Sequence, residues 1–484
     1  MATITLTYSQ AIADKGSLRD IRPLSDDLVQ FADAPAVISM ASQMAAIAGD
    51  SSVGGVVSGN GLYFTPPGGG ASIYYGGVSF GGGRAVGNSL EMDLLDSINV
   101  KLQGEFAMST TPYGNTSLVQ SMTSTVTSAS VYLVANPGDE WYDPELGDIK
   151  LGMQGTLKTD ALGNISGNIT HLSASADLLV KSAVIEGNFN VSGYNGAFGG
   201  YPYGTMSGTL TGYRNEYVDG SLESVEGASI SYNVGTSALL ENASNFSGDD
   251  IFKITMPGRL IDLMRIEAGA GNDIVTLAGG GGNLHVNAGA GNDTITLLSD
   301  AHRVDGGAGT DTVVLAGLRS DYIRGSSGGL TTYTHRNGAV ESLTGIERVE
   351  FSDAGTAYDI TGNAGQAYRI YKAAFDRAPD AYGLGFWIDT LDRGQTLAQV
   401  AAGFLSSDEY VGRYGAGISD KAFINNLYHN VLHRDADDDG ASYWAGRLSG
   451  GSSRGQVLAE FSESAENQAQ VIGAIQNGID YLPF

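Results

Sequence analysis

Three copies of a nine-residue pattern, AGAGNDIVT from Ala268, AGAGNDTIT from Ala288 and GGAGTDTVV from Gly306, sit in the middle of this chain. No other feature constrains the fold as much, because each copy prescribes a turn followed by a short strand. Glycine reaches the positive-φ turns that aim carbonyl oxygens inward, and the closing aspartate (Asp273, Asp293, Asp311) adds an anionic oxygen. The three residues after each aspartate have the β-branched, alternating character of a strand. The aspartates are spaced by 20 and then 18 residues, about two repeat units, which puts all three on one edge of a two-sided roll. Calcium then fits between successive turns, with Gly269 and Gly271, Gly289 and Gly291, and Gly307 and Gly309 shaping the loops that hold it.

This glycine-aspartate nonapeptide resembles the RTX family of secreted bacterial proteins. The resemblance implies a parallel β-roll whose calcium ions are shared by loops one full coil apart. A degenerate copy, Gly248-Asp249-Asp250-Ile251-Phe252, puts Asp250 in the ligand position and opens the roll. The other edge is poorer: GGGGNLHV from Gly279 has Leu284 where an aspartate is expected, and SDAHRV from Ser299 lacks glycine. Calcium is therefore expected on one edge only, on the order of two or three ions. The roll is assigned to residues 241–316. Residues 317–360, short strands with alternation through Glu347-Arg348-Val349-Glu350-Phe351, resemble the flank that follows such rolls and are read as a β cap without chemistry.

Composition agrees with an extracellular calcium protein. Among 484 residues, 53 are acidic and 26 basic, a formal charge of −27, which argues against nucleic acid or an anionic membrane as partner. Divalent cations relieve such repulsion. The 70 glycines suit turn-dense β-structure, and the lack of cysteine removes disulfides, thiolate ligands and a cysteine nucleophile. The first twenty residues show neither the basic nor the apolar region of a Sec signal. No apolar run of about 18 residues suggests a membrane span. The resemblance instead implies an uncleaved carboxy-terminal signal and type I export. A roll that needs roughly 10⁻⁴ to 10⁻³ M calcium stays unfolded in the cytosol and folds on exit.

From residue 361 to 484 the pattern becomes amphipathic helix, and a second repeat appears at a constant offset of 57 residues. Tyr371 and Arg377 match Tyr428 and Arg434; Asp380, Gly383 and Trp387 match Asp437, Gly440 and Trp444; Phe404, Ser407 and Glu409 match Phe461, Ser464 and Glu466. The motif R-x-x-D-x-x-G-x-x-x-W resembles a helical module of unassigned function that accompanies RTX rolls and is similar to phycobilisome-linker-type repeats, which implies assembly or surface attachment. Four local patterns here imitate chemistry. Ser453 formally matches a G-x-S-x-G nucleophile elbow, but Ser453 with Gln456 and Thr396 with Gln399 fit helix capping boxes. His429 and His433 have zinc-like spacing, yet Asn430 stands where a metalloprotease carries its general base. The run from Asp435 to Gly440 imitates the start of an EF-hand; its twelfth position is Gly446, so a solvated loop fits better than a weak calcium site. Asp380 and Asp437 read as helix N-caps.

Residues 1–240 match no family by inspection. A leading stretch, 18–48, has helical apolar spacing. Beyond it, glycine-rich echoes at residues 152–157, 163–169 and 204–210 suggest long antiparallel strands. An aromatic row from Tyr63 and Phe64 through Tyr74, Tyr75 and Phe80, extended by Tyr201 and Tyr203, fits either a β core or a stacking surface. Asp139, Glu140, Asp143 and Glu145 beside Trp141 and Tyr142 contain the ingredients of a glycosidase cleft without its geometry. His171 is read as structural.

The expectation is a multidomain β plus α protein: a β-rich amino-terminal domain, a parallel β-roll with cap, and an all-α tandem-repeat domain. Its expected role is extracellular, calcium-binding, and structural or adhesive, with self-assembly or a surface polysaccharide or protein as partner. No catalytic constellation stands out. The alternative is a secreted polysaccharide-acting enzyme or lectin whose active domain is residues 1–240.

Overall fold

The computed structural model describes residues 3–7 and most of residues 56–233 and 246–484. The stretch 18–48, the acidic-aromatic segment 139–145 and Tyr201 lie outside the described residues. The chain divides into two compact units, Met1–Asn287 and Ala288–Phe484. The amino-terminal region is β-rich with several sheets, and the carboxy-terminal region carries eight α-helices among the described residues.

In the first unit, eight strands from Arg84–Leu94 to Leu222–Asn233 each pair antiparallel with the next. Alternation decides what they bury. Along Ile98–Tyr113, Val100, Leu102 and Phe106 are buried while Lys101, Gln103 and Glu105 are exposed, as period-two pleating requires. The glycine echoes have a packing cause: a Cβ on Gly155, Gly167 or Gly208 would meet a carbonyl oxygen of the neighbouring strand, from Asn168, Thr156 and Asn188 respectively. Of the aromatic row, Tyr75 is core, with its ring 6.3 Å from that of Phe106. Strand Thr3–Thr7 pairs antiparallel with residues 222–226 and parallel with 251–255, joining the meander to a different kind of pairing.

From there the ladders are parallel. Residues 251–255 pair with 274–278, and Met264–Glu267 with 284–287. Phe252, Ile254, Ile266, Val275, Leu277, Leu284 and Val286 are all buried. Leu284, at the position where the repeat lacks its aspartate, is thus a core residue.

The second unit opens with the same pairing. Thr294–Leu297 lies parallel to Thr312–Leu315, residues 312–314 to Arg348–Glu350, and 303–305 to 342–344. The hairpin of Tyr322–Ser327 and Leu330–His335 extends the second of these sheets. Arg348–Glu350 also pairs with Gly355–Ala357, which pairs with the carboxy-terminal strand Ile479–Tyr481. Ile479 and Tyr481 are buried, the Tyr481 hydroxyl donates to Glu350 (2.7 Å), and Arg319 donates to Asp480 (2.6 Å). Each of the two apolar side chains contributes roughly 1.5–3 kcal/mol by burial. Removal of residues 479–484 is therefore expected to lower the melting temperature clearly; an unchanged transition in calorimetry would show that the strand is not part of the cooperative fold.

The helices are α1 (Asn363–Phe375), α2 (Ala381–Asp392), α3 (Leu397–Ser406), α4 (Asp408–Tyr414), α5 (Asp420–Leu427), α6 (Asp438–Ser449), α7 (Arg454–Ser462) and α8 (Ala465–Ile475), with a π-helical turn at Tyr428–Leu432. The 57-residue repeat recurs in three dimensions. Asp376 and His433 both adopt left-handed backbone after the first helix of each repeat. Arg377 stacks over Tyr371 and Arg434 over Tyr428 at 5.1 and 5.2 Å. Asp380 and Asp437 cap the next helix through the amides of Gly383 and Gly440 (2.7 and 2.8 Å). Those glycines leave room for the hydroxyls of Tyr371 and Tyr428. Trp387 lies on Phe404 and Trp444 on Phe461, both at 4.8 Å. Every residue of the R-x-x-D-x-x-G-x-x-x-W motif thus has a packing or capping role.

Candidate metal centre

Loop residues before the parallel strands carry the oxygen chemistry, and the loop glycines show why the repeat has its composition. Gly269 and Gly271 have φ of 102° and 132°, Gly289 and Gly291 108° and 136°, Gly307 and Gly309 95° and 145°. Three copies repeat one backbone path. Space is as restrictive as dihedral: Cβ atoms on Gly307 and Gly309 would collide with the carbonyl oxygens of Gly289 and Gly291, and one on Gly271 with that of Gly248. Carbonyl groups of one loop therefore press against the α-carbons of the next.

In the first unit, residues 248–250 lie against 269–273. The Asp250 amide donates to Asp273 Oδ1 (2.8 Å), the Asn272 amide to Asp249 Oδ1 (2.8 Å), and the Ile274 amide to the Asp250 carbonyl (2.9 Å). In the second unit, residues 289–293 lie against 307–311 with the same bonds: Asp293 amide to Asp311 Oδ1 (2.9 Å), Thr310 amide to Asn292 Oδ1 (2.9 Å) and Thr312 amide to the Asp293 carbonyl (2.8 Å). Asp250, Asp273, Asp293 and Asp311 are all buried. The structure thus brings the predicted aspartates together in two pairs, 250 with 273 and 293 with 311.

The second pair holds an electrostatic problem. Asp311 is fully buried, and its Oδ2 has no hydrogen-bond partner. Burial pushes this carboxyl up to about 7; the Asp293 amide pulls it down, while the charges of Asp293 and Glu347 add to the rise. Leaving an ionised oxygen there costs several kcal/mol without a counter-charge. The donors at hand are carboxylate and carbonyl oxygens, the hard ligand set of calcium and not the nitrogen or sulfur set of zinc. Among the described residues no three His, Asp or Glu side chains cluster to hold a metal, so a cation at these loops depends on backbone carbonyls beside the aspartates.

Reasoning from sequence missed three participants. Asp249 and Asn292 zip adjacent loops through their side chains, a role signalled only by their place just before the ligand aspartate. Glu347, in a segment whose sequence predicts a cap without chemistry, accepts the Asp311 amide at 2.9 Å.

The imitations elsewhere resolve into structural roles. Ser453 and Thr396 form capping boxes with Gln456 and Gln399. His429 faces Asp435 (3.0 Å) and His433 faces Asp376 (3.8 Å), different carboxylates for the two imidazoles. Asp437 caps α6 and pairs with Arg434 (3.0 Å), which holds its carboxyl below the usual range together with the Gly440 amide, the larger influence. His171 lies 4.0 Å from Glu186. No helix among the described residues is long and apolar enough to cross a membrane.

Neither the curated proteins nor the solved structures contain a match to the chain. A family model described as a domain of unknown function, DUF4214, matches residues 354–413 and 401–471. The carboxy-terminal region is similar to that domain across its two helical repeats, and the matched spans leave the aspartate loops outside.

Proposed function

We propose that this is an extracellular calcium-binding protein of the RTX type, structural or adhesive in role, exported by a type I route and folded by calcium outside the cell. On this reading the parallel ladders are coils of a β-roll and the ions lie between adjacent aspartate loops. The observation that carries it is the recurrence of one loop geometry at two places, with buried carboxylates facing carbonyl-lined turns and one oxygen, Asp311 Oδ2, without a hydrogen bond. Asp250, Asp273, Asp293 and Asp311 supply the anionic ligands, and the carbonyls of the loop glycines supply neutral ones. An excess of 27 negative charges favours the metal-loaded state further.

The adhesive role rests on the tandem helical module, whose motif residues are used in packing and capping. Calcium titration of the metal-free full chain, followed by circular dichroism and light scattering, tests both parts. Calcium should induce folding and then ordered assembly. At a calcium concentration about 100-fold above the dissociation constant each bound ion adds about 2.7 kcal/mol of stability. A chain whose melting point ignores calcium is not of this type. One that folds but stays monomeric, with no affinity for cells or polymer, is no building block, and residues 1–240 then become the part to assay on glycans.

A further inference from the structure

We propose that residues 345–347 form a truncated last loop of the metal-binding series, and that Glu347 supplies the closing carboxylate of a further calcium site facing Asp311. This inference rests on the calcium reading of the aspartate loops and adds a ligand and a site to it.

The argument begins with the backbone. In each loop pair an aspartate amide donates to the carboxylate of the next loop, and its carbonyl accepts the amide of the residue after that carboxylate. Asp250 does this with Asp273 and Ile274, and Asp293 with Asp311 and Thr312. Asp311 repeats it with Glu347 and Arg348: its amide donates to Glu347 Oε2 (2.9 Å) and its carbonyl accepts from Arg348 (2.9 Å). Glu347 therefore occupies the position that Asp273 and Asp311 hold in the two earlier loop pairs.

Loop length explains the change of residue. Asp305 pairs with Thr344 on one ladder and Thr312 with Arg348 on the other. The gap bridged by residues 306–311 in one loop is bridged by 345–347 in the next. A shorter loop sets its backbone farther from the shared edge, and the extra methylene of glutamate restores the reach of the carboxylate.

Oxygens converge on this place from several sides. A Cβ on Gly306 would strike the carbonyl oxygen of Gly345 and lie 2.7 Å from Asp311 Oδ2. A Cβ on Gly345 would lie 3.1 Å from Asp305 Oδ1. Gly345 O and Asp311 Oδ2 thus meet at Gly306, and Asp311 Oδ2 is a fully buried oxygen with no hydrogen bond. The third nonapeptide also begins with glycine where the first two begin with Ala268 and Ala288. The carbonyl of Gly345 at Gly306 accounts for that difference: only a glycine admits the last loop.

Glu347→Gln keeps an acceptor for the Asp311 amide and removes the charge, so it separates metal ligation from the structural hydrogen bond. In equilibrium dialysis of the full chain against calcium, the variant should bind one ion fewer than wild type, or bind its weakest ion with affinity reduced about tenfold or more. Gly306→Ala, which changes no charge but crowds both the Gly345 carbonyl and Asp311 Oδ2, should lose the same ion. A Glu347→Gln chain with wild-type stoichiometry and affinity overturns the role of Glu347. If that variant does not fold in calcium, Gly306→Ala decides: a full complement of ions overturns the site and the loss of one supports it. Wild type that binds no calcium overturns the reading of all the loops together.

Discussion

Replacing Arg348 by alanine is expected to cost about 3–5 kcal/mol, the range for breaking a buried ion pair by removing one partner, and to lower the melting temperature by roughly 10 °C. Arg348 is buried and donates to two carboxylates: Asp359 through Nε (3.4 Å) and Nη2 (3.1 Å), and Asp392 through Nη1 and through Nη2 (3.1 Å). Burial works against its charge, but Asp392 and Asp359 outweigh burial and raise its pKa. Asp359 also accepts the Ala364 amide at the start of α1 (3.0 Å), and Asp392, the last residue of α2, accepts from Asn363 (2.8 Å). One guanidinium thus ties the strand after the last loop to the first two helices. Its loss strands Asp359 without a counter-charge. Lysine should not rescue, because a point charge cannot serve two carboxylates in a fork. Adding Asp359→Asn and Asp392→Asn to Arg348→Met should recover part of the loss. Thermal melts that place Arg348→Ala within 1 °C of wild type, a shift of roughly 0.3 kcal/mol, would rule the cluster out as a structural tie.

Gly309→Ala is the second large effect. Gly309 has φ of 145°, and the carbonyl oxygen of Gly291 occupies the space its Cβ would need. Strain at such a dihedral costs about 1–3 kcal/mol by itself, and the clash with backbone forces the loops of Asp293 and Asp311 apart. Stability and calcium affinity should fall together. Gly446, inside α6, is the contrast: nothing stands within 4 Å of its would-be Cβ. Gly446→Ala should stabilise by about 0.5–1 kcal/mol, the usual cost of a glycine inside a helix. Chemical denaturation of both variants with and without calcium reads the two signs. If Gly309→Ala kept wild-type affinity, close contact between the loops would not matter for the ion.

The two repeats made much of this protein legible from its residues alone. Turn-strand alternation with aspartates about two units apart follows from local preferences of glycine and β-branched residues, so the paired loops of Asp250 with Asp273 and Asp293 with Asp311 could be anticipated. The offset of 57 residues exposed the helical duplication, and capping chemistry at Thr396, Ser453, Asp380 and Asp437 could be read because an N-cap depends on residues three positions apart. Long antiparallel strands in the amino-terminal region were readable as alternation, though not their pairing.

Contacts between residues far apart in sequence were not readable. That Gly306 must be glycine depends on a carbonyl 39 residues later, Gly345. The link between Asp311 and Glu347 crosses 36 residues, and that between Tyr481 and Glu350 crosses 131. A periodic sequence signals its own period; a glutamate at the end of a shortened loop breaks that period and gains meaning only when the ladders set it beside Asp311. Local chemistry therefore determined which residues form loops, strands and caps. Tertiary structure decided which carboxylates share an edge, because parallel pairing joins segments whose spacing is set by everything folded between them.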